Sequence, residues 1–181
     1  MRLNKLIATL SLALTALLAL PSIAAAQDAK PSFDGTWSLS TKGARGQIDR
    51  KIEPVVQEHF SFVTRGFARD KLKEKTKPYT KLTFKTGGSI TITDSRGTAS
   101  TPNAQGKKTT IKRGGESYGV EQYQKGDTIV QIWHADGGKR TNTYKLSADG
   151  KTMTMSVILW SDKFTGGKPK DLRYSLTYTK N

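Results

Sequence analysis

Apolar and polar positions alternate with period two over most of the chain, and one stretch near its start breaks that rule. In Asp34-Gly35-Thr36-Trp37-Ser38-Leu39-Ser40, Trp37 and Leu39 share one face while Thr36, Ser38 and Ser40 share the other. That pattern predicts a half-buried strand. The period then changes: Ile48, Ile52, Val55, Val56, His59, Phe60, Val63 and Phe67 recur at threes and fours, one stripe along a helix. Pro54 inside the stripe predicts a helix start or a kink, and Gly66 a further break. Pro78 closes the segment, so one or two amphipathic helices are expected over roughly 47–75.

Period two returns at Tyr79. Leu82 and Phe84 alternate with Lys81, Thr83 and Lys85, and Ile90 and Ile92 with Thr91 and Thr93. Further strands are expected near 108–113, 117–124, 128–134, 140–147, 151–160 and 172–179. Between them stand Gly87-Gly88, Gly114-Gly115, Gly126-Asp127, Asp136-Gly137-Gly138 and Asp149-Gly150, which supply the positive φ of tight hairpins. None of these pairs has the G-x-x-x-x-G-K-[ST] spacing of a phosphate loop. The expected fold is therefore mainly β: an antiparallel up-and-down β-barrel of about nine or ten strands with a helical insert after the first. A barrel of that size either fills its interior with side chains or keeps a cavity for one small ligand.

The first 26 residues stand apart. Arg2 and Lys5 precede an uncharged apolar run from Leu6 to Leu20, Pro21 breaks it, and Ala24-Ala25-Ala26 offers a small-residue cleavage site. This is the layout of a secretory signal. The run is shorter than the about 20 apolar residues of a spanning helix. A cleaved signal at 1–26 and a single domain at 27–181 are expected, in a Gram-negative periplasm or released from the cell. No cysteine follows the run, so lipid attachment at a processed N-terminal Cys is excluded.

Composition narrows the chemistry further. The 181 residues contain no cysteine, which excludes disulfides, thiolate metal sites and a Cys nucleophile. Only His59 and His134 can supply imidazole chemistry. His59 falls on the apolar helix stripe, the place of a buried, hydrogen-bonded residue, and His134 ends a strand near Asp136 without a G-x-S-x-G elbow. Neither a catalytic set nor a metal site nor a cofactor is expected.

The order Gly35-x-Trp37 on a first strand, helices, then an antiparallel meander resembles the calycin superfamily. Phe33-Asp34-Gly35-Thr36-Trp37 is similar to the opening of its fatty-acid-binding branch, and Leu176-Thr177-Tyr178-Thr179-Lys180 to that branch's last strand. Asp149-Gly150-Lys151-Thr152-Met153-Thr154-Met155 resembles a late hairpin of bacterial lipocalin-like proteins. The resemblance implies a noncovalently bound hydrophobic or amphipathic ligand. One departure matters: that branch holds a carboxylate with two buried arginines on late strands, whose positions here carry Leu176 and, by register, Tyr144. A carboxylate held by that clamp is therefore not expected, and a neutral lipid, or an acid near Arg140, stays open.

Phe60, Phe67, Arg140, Tyr144, Met153, Met155, Tyr174 and Tyr178 are the candidate ligand-binding residues, Met for adaptable packing and Tyr for a polar tip on an apolar ring. Two readings stay open, a ligand cavity or a filled core, and the helix stripe serves either as a lid or as ordinary packing. Residues 65–85 carry eight Lys and Arg against Asp70 and Glu74. Arg65, Arg69, Lys71, Lys73, Lys75 and Lys77 form a candidate anionic-surface site, for peripheral contact with an anionic membrane or lipopolysaccharide, or else a solvated basic face. Nucleic acid is not an expected partner of an exported protein, and a monomer is expected. The alternative function is an interaction module with a filled core whose basic face binds acidic envelope components.

Overall fold

The computed structural model describes residues 31–102, 106–164 and 171–181. The expected signal at 1–26 lies outside them. The elements run β1 (Gly35–Leu39), α1 (Ala44–His59), α2 (Arg65–Lys75), β2 (Lys81–Lys85), β3 (Thr91–Asp94), β4 (Ala99–Ser100), β5 (Thr109–Arg113), β6 (Glu116–Lys125), β7 (Thr128–Ala135), β8 (Gly138–Leu146), β9 (Thr152–Ser161) and β10 (Asp171–Lys180). All ten strands join one antiparallel sheet in the order β4-β3-β2-β1-β10-β9-β8-β7-β6-β5. β4, two residues long, is too short for alternation to announce it.

The sheet curls until its two ends meet through side chains. Gln131 Nε2 on β7 donates to Ser100 Oγ on β4 (2.7 Å), and Gln122 Nε2 on β6 donates to the Ile90 carbonyl (2.6 Å). Arg113 on β5 pairs with Asp94 on β3 at 2.8 Å. The result is a nearly closed barrel, whose edge strands β4 and β5 are only two and five residues long.

The helical insert departs from the expected breaks. α1 runs through Pro54, whose missing N–H and steric clash burial of Ile48, Ile52, Val55 and Val56 offsets. Gly66 sits inside α2, and the chain turns instead between Phe60 and Thr64. The stripe therefore stops at Phe60. Val63 and Phe67 are 89% and 70% exposed, and α2 buries Ala68 and Leu72 in their place. Arg65 bridges the turn, donating from Nε to the Phe60 carbonyl and from an η nitrogen to that of Gln57 (3.1 and 2.9 Å). Arg69 grips Glu53 through two 2.9 Å bonds, which fixes the helices to each other.

Strand register stacks the inward side chains in rows. Ile129, Tyr144, Met155 and Leu176 stand side by side across β7–β10, with Leu146, Met153 and Tyr178 below them. With Phe33, Trp37 and Phe84 they form the buried core of the lower barrel. The row above holds Gln122, Gln131 and Asn142, continued by Val157 and Tyr174. Above that lie Trp133, Arg140 and Leu159.

Candidate functional site

The polar row divides the interior. Asn142 Nδ2 donates to Gln131 Oε1 (3.0 Å), the Tyr144 hydroxyl donates to the same oxygen (3.3 Å), and Gln131 Nε2 bonds Gln122 Oε1 (2.8 Å). Each buried amide thereby has a partner, which a polar group in a core requires. Below this girdle the barrel is packed; above it, under the helices, a cavity of about 740 Å³ opens. That is ample for one small ligand.

α2 forms one wall, and the β5–β6, β7–β8 and β9 hairpin ends form the other. Phe60, Leu72, Trp133, Leu159 and Phe164 give the wall apolar surface, and Phe164 stands edge-on to Phe60 with ring centres 6.1 Å apart. The closed end of α2 is strapped to the barrel. Arg140 donates an η N–H to the Lys75 carbonyl (2.9 Å), meeting the negative end of the helix dipole. Lys75 Nζ reaches Glu116 (3.2 Å) and the Tyr118 hydroxyl, which itself bonds Glu116.

The cavity wall includes Tyr79, a buried residue in the link from α2 to β2, with its carbonyl held by the Tyr178 hydroxyl at 3.0 Å. Three guanidinium groups surround its ring, those of Arg96, Arg140 and Arg113 at 4.8, 5.3 and 6.0 Å from the centroid. Arg113 also lies 5.6 Å over the Trp133 ring. Such stacking is favourable, but it does not neutralise charge. Burial alone would raise the Tyr79 phenol above its usual range, yet Arg140, Arg113 and Arg96 together pull it below. Buried Tyr144 and Tyr178, by contrast, are pushed up by desolvation.

The candidate residues read from sequence thus separate. Phe60, Phe67 and Arg140 line the cavity. Tyr144, Met153, Met155 and Tyr178 lie in the packed lower barrel, and Tyr174 is buried in the girdle row, none of them on the cavity wall. Of the basic residues on and after α2, Lys71 and Lys75 rim the mouth; Arg65 and Arg69 are engaged with α1; and Lys73 and Lys77 lie on the outer side. Alternation places Trp133 and Tyr118 inward, but Arg96, Arg113 and Tyr79 carry no local spacing that would join them. His134 pairs with Glu121 at 2.9 Å on the outer face, and His59 stacks on Phe164. Among the described residues no three His, Cys, Asp or Glu gather as a metal site would need.

No protein-family model matches the chain, and no curated protein matches it in sequence. Solved structures do. A secretary abundant heat soluble (SAHS) protein of Ramazzottius varieornatus superposes with a TM-score of 0.53 at 10% identity, over 84% of this chain and 100% of that one. The fatty-acid-binding protein of Manduca sexta follows at 0.49 and 16%, over 83% and 100%. A fatty acid binding protein of Schistosoma mansoni, solved with arachidonic acid, reaches 0.48 and 18%, over 84% and 99%. Strand order, the helix pair after β1 and the near-closure make the fold a calycin-like β-barrel, as the Gly35-x-Trp37 opening implied.

Proposed function

We propose that this protein is an exported carrier that holds one hydrophobic or amphipathic, lipid-like molecule noncovalently in the upper half of its barrel, as a monomer and without catalysing a reaction. The observation that carries the reading is the 740 Å³ cavity, walled by aromatic and aliphatic side chains and set directly above a packed, polar-capped floor. An interior built only for stability would continue the packing of the lower rows upward. In this reading residues 1–26 deliver the chain to the periplasm or beyond. The helix pair then serves as the entrance. Phe62, Val63 and Phe67 stand exposed at the turn, beside Lys71 and Lys75 at the mouth. Basic residues near an anionic leaflet contribute about 1 kcal/mol each, so this tip suits peripheral contact with anionic lipid or lipopolysaccharide.

Gentle purification of the mature protein from its host, followed by native mass spectrometry and extraction, tests the proposal. One lipid-like molecule per chain is expected. An empty protein that also ignores a panel of fluorescent lipids would instead favour the interaction module, whose basic face binds acidic envelope components.

A further inference from the structure

The charges around Tyr79 do not balance. Arg96, Arg113 and Arg140 crowd one ring, and Lys75 stands beside Arg140 at the end of α2. Asp94 is shared between Arg113 (2.8 Å) and Arg96 (3.5 Å), and Glu116 is taken by Lys75. Two carboxylates thus face four cations. The whole cavity wall repeats the excess, with seven basic side chains against three acidic ones. Guanidinium groups held this close repel one another, and the ring's quadrupole offsets only part of that cost.

Unused hydrogen-bond donors point the same way. One η nitrogen of Arg140 and the indole Nε1 of Trp133 are buried and have no partner among the described residues, and both residues line the cavity. Leaving such donors unmade is costly. A guanidinium whose second η nitrogen is unused, the other two nitrogens being held by Asn142 and the Lys75 carbonyl, suits an oxyanion with several acceptor oxygens. The lowered phenol of Tyr79 is an internal sign of the same positive potential.

We infer that the cavity selects amphiphiles bearing a phosphomonoester-type, dianionic headgroup, which binds at the Arg96–Arg113–Arg140 cluster while the chain lies against Phe60, Leu159 and Phe164. This rests on the carrier reading and names its ligand class. A monocarboxylate cancels only half of the local excess of two charges, whereas a phosphate monoester carries −1.5 to −2 at neutral pH and offers three acceptor oxygens. The alkyl chain supplies the remaining affinity, so the same headgroup without a chain is a poor ligand.

The test compares dodecyl phosphate, dodecanoate, dodecanol and inorganic phosphate for binding to the mature protein by isothermal titration. Dodecyl phosphate is expected to bind at least tenfold tighter than dodecanoate, and dodecanol and inorganic phosphate weaker still. Raising salt should narrow the phosphate advantage. Arg140→Gln and, separately, Arg96→Gln should bring dodecyl phosphate down to the level of dodecanoate, with folding checked by urea titration; Lys77→Gln, outside the cavity, should leave the ranking intact. If Arg140→Gln does not fold, Arg96→Gln alone decides, because its partner Asp94 keeps Arg113. Equal binding of the phosphate, acid and alcohol overturns the inference and leaves the carrier reading standing. Binding of inorganic phosphate as tight as that of dodecyl phosphate overturns it too, as a bare anion site. No binding by any chain-bearing probe defeats the carrier reading itself.

Discussion

The lower and upper halves of this barrel are built by the same strands with opposite chemistry. On β8, Tyr144 and Leu146 are buried in the floor, and four residues before Tyr144 on the same face Arg140 enters an open, basic cavity. On β7 the step is from Ile129 to Trp133, with Gln131 between them. On β9 it runs from Met153 and Met155 to Leu159. Each strand therefore crosses from close packing to solvent-accessible space within one row, Gln131 on β7, Asn142 on β8 and Val157 on β9. The lesson is a division of labour: the floor supplies stability and the mouth can tolerate repulsive charge because the floor outweighs it.

Breaking the floor should have the largest effect. Trp37→Ala removes a fully buried indole that bonds the Phe33 carbonyl (2.8 Å), and Tyr144→Ala removes the centre of the row above. Each should cost about 3–5 kcal/mol in urea unfolding, the range for large aromatic truncations. Ligand affinity measured on the remaining folded protein should change little.

The girdle comes next. Gln131→Leu keeps the volume but strands Asn142 Nδ2 and the Tyr144 hydroxyl together, while Ser100 keeps the Ile92 carbonyl and Gln122. About 1–3 kcal/mol is expected for a single buried group left unpaired, so a loss near the top of that range or above it is the expected outcome in the same titration. A loss below the cost of one such group would mean that water has replaced the amide and that the halves are not sealed from one another.

At the tip, reversing Lys71 and Lys73 to Glu should weaken binding to vesicles containing anionic phospholipid by at least tenfold while the unfolding midpoint moves only slightly, since Lys75, which ties α2 to Glu116, is left in place. Unchanged vesicle binding would remove the basic tip from the account. The smallest effect concerns pH. Two bonds from Arg69, with help from Gln57, hold the Glu53 carboxyl down at about 2, below its usual value near 4.5. A depressed carboxylate contributes stability that is present above its unfolded-state value and lost as pH falls through the folded one. The tie between α1 and α2 should therefore loosen only between about pH 4.5 and 2, seen as a Glu53 side-chain carbon titrating near 2 by NMR. A midpoint near 4.5 would show that the tie does not form in solution.

The floor was legible in the sequence because period two is unambiguous on β9 and β10, where Met153, Met155, Val157, Leu172, Tyr174, Leu176 and Tyr178 all turn inward and are all buried. The helical insert was legible as a stripe, but not its turn: Val63 and Phe67 fit the period and yet stand in solvent, since periodicity says nothing about where two helices part. The girdle hid because Gln122, Gln131 and Asn142 are polar residues at inward positions, and only curling the sheet shows that they meet. The arginine cluster was the least legible part. Arg96 lies in a turn, Arg113 ends a short strand, Tyr79 precedes one, and Arg140 stands alone on β8; closure of the barrel, not spacing, brings them within 6.0 Å of one ring.

The claim that the upper half is a ligand site and the lower half a floor is tested most directly by filling each in turn. Leu159→Trp projects an indole into the cavity, and Met155→Leu repacks the floor at nearly constant volume. Native mass spectrometry with dodecyl phosphate should show one adduct per chain for the unmodified protein and for Met155→Leu, and none for folded Leu159→Trp. An adduct that survives Leu159→Trp but disappears in Met155→Leu would place the ligand in the wrong half and contradict the account.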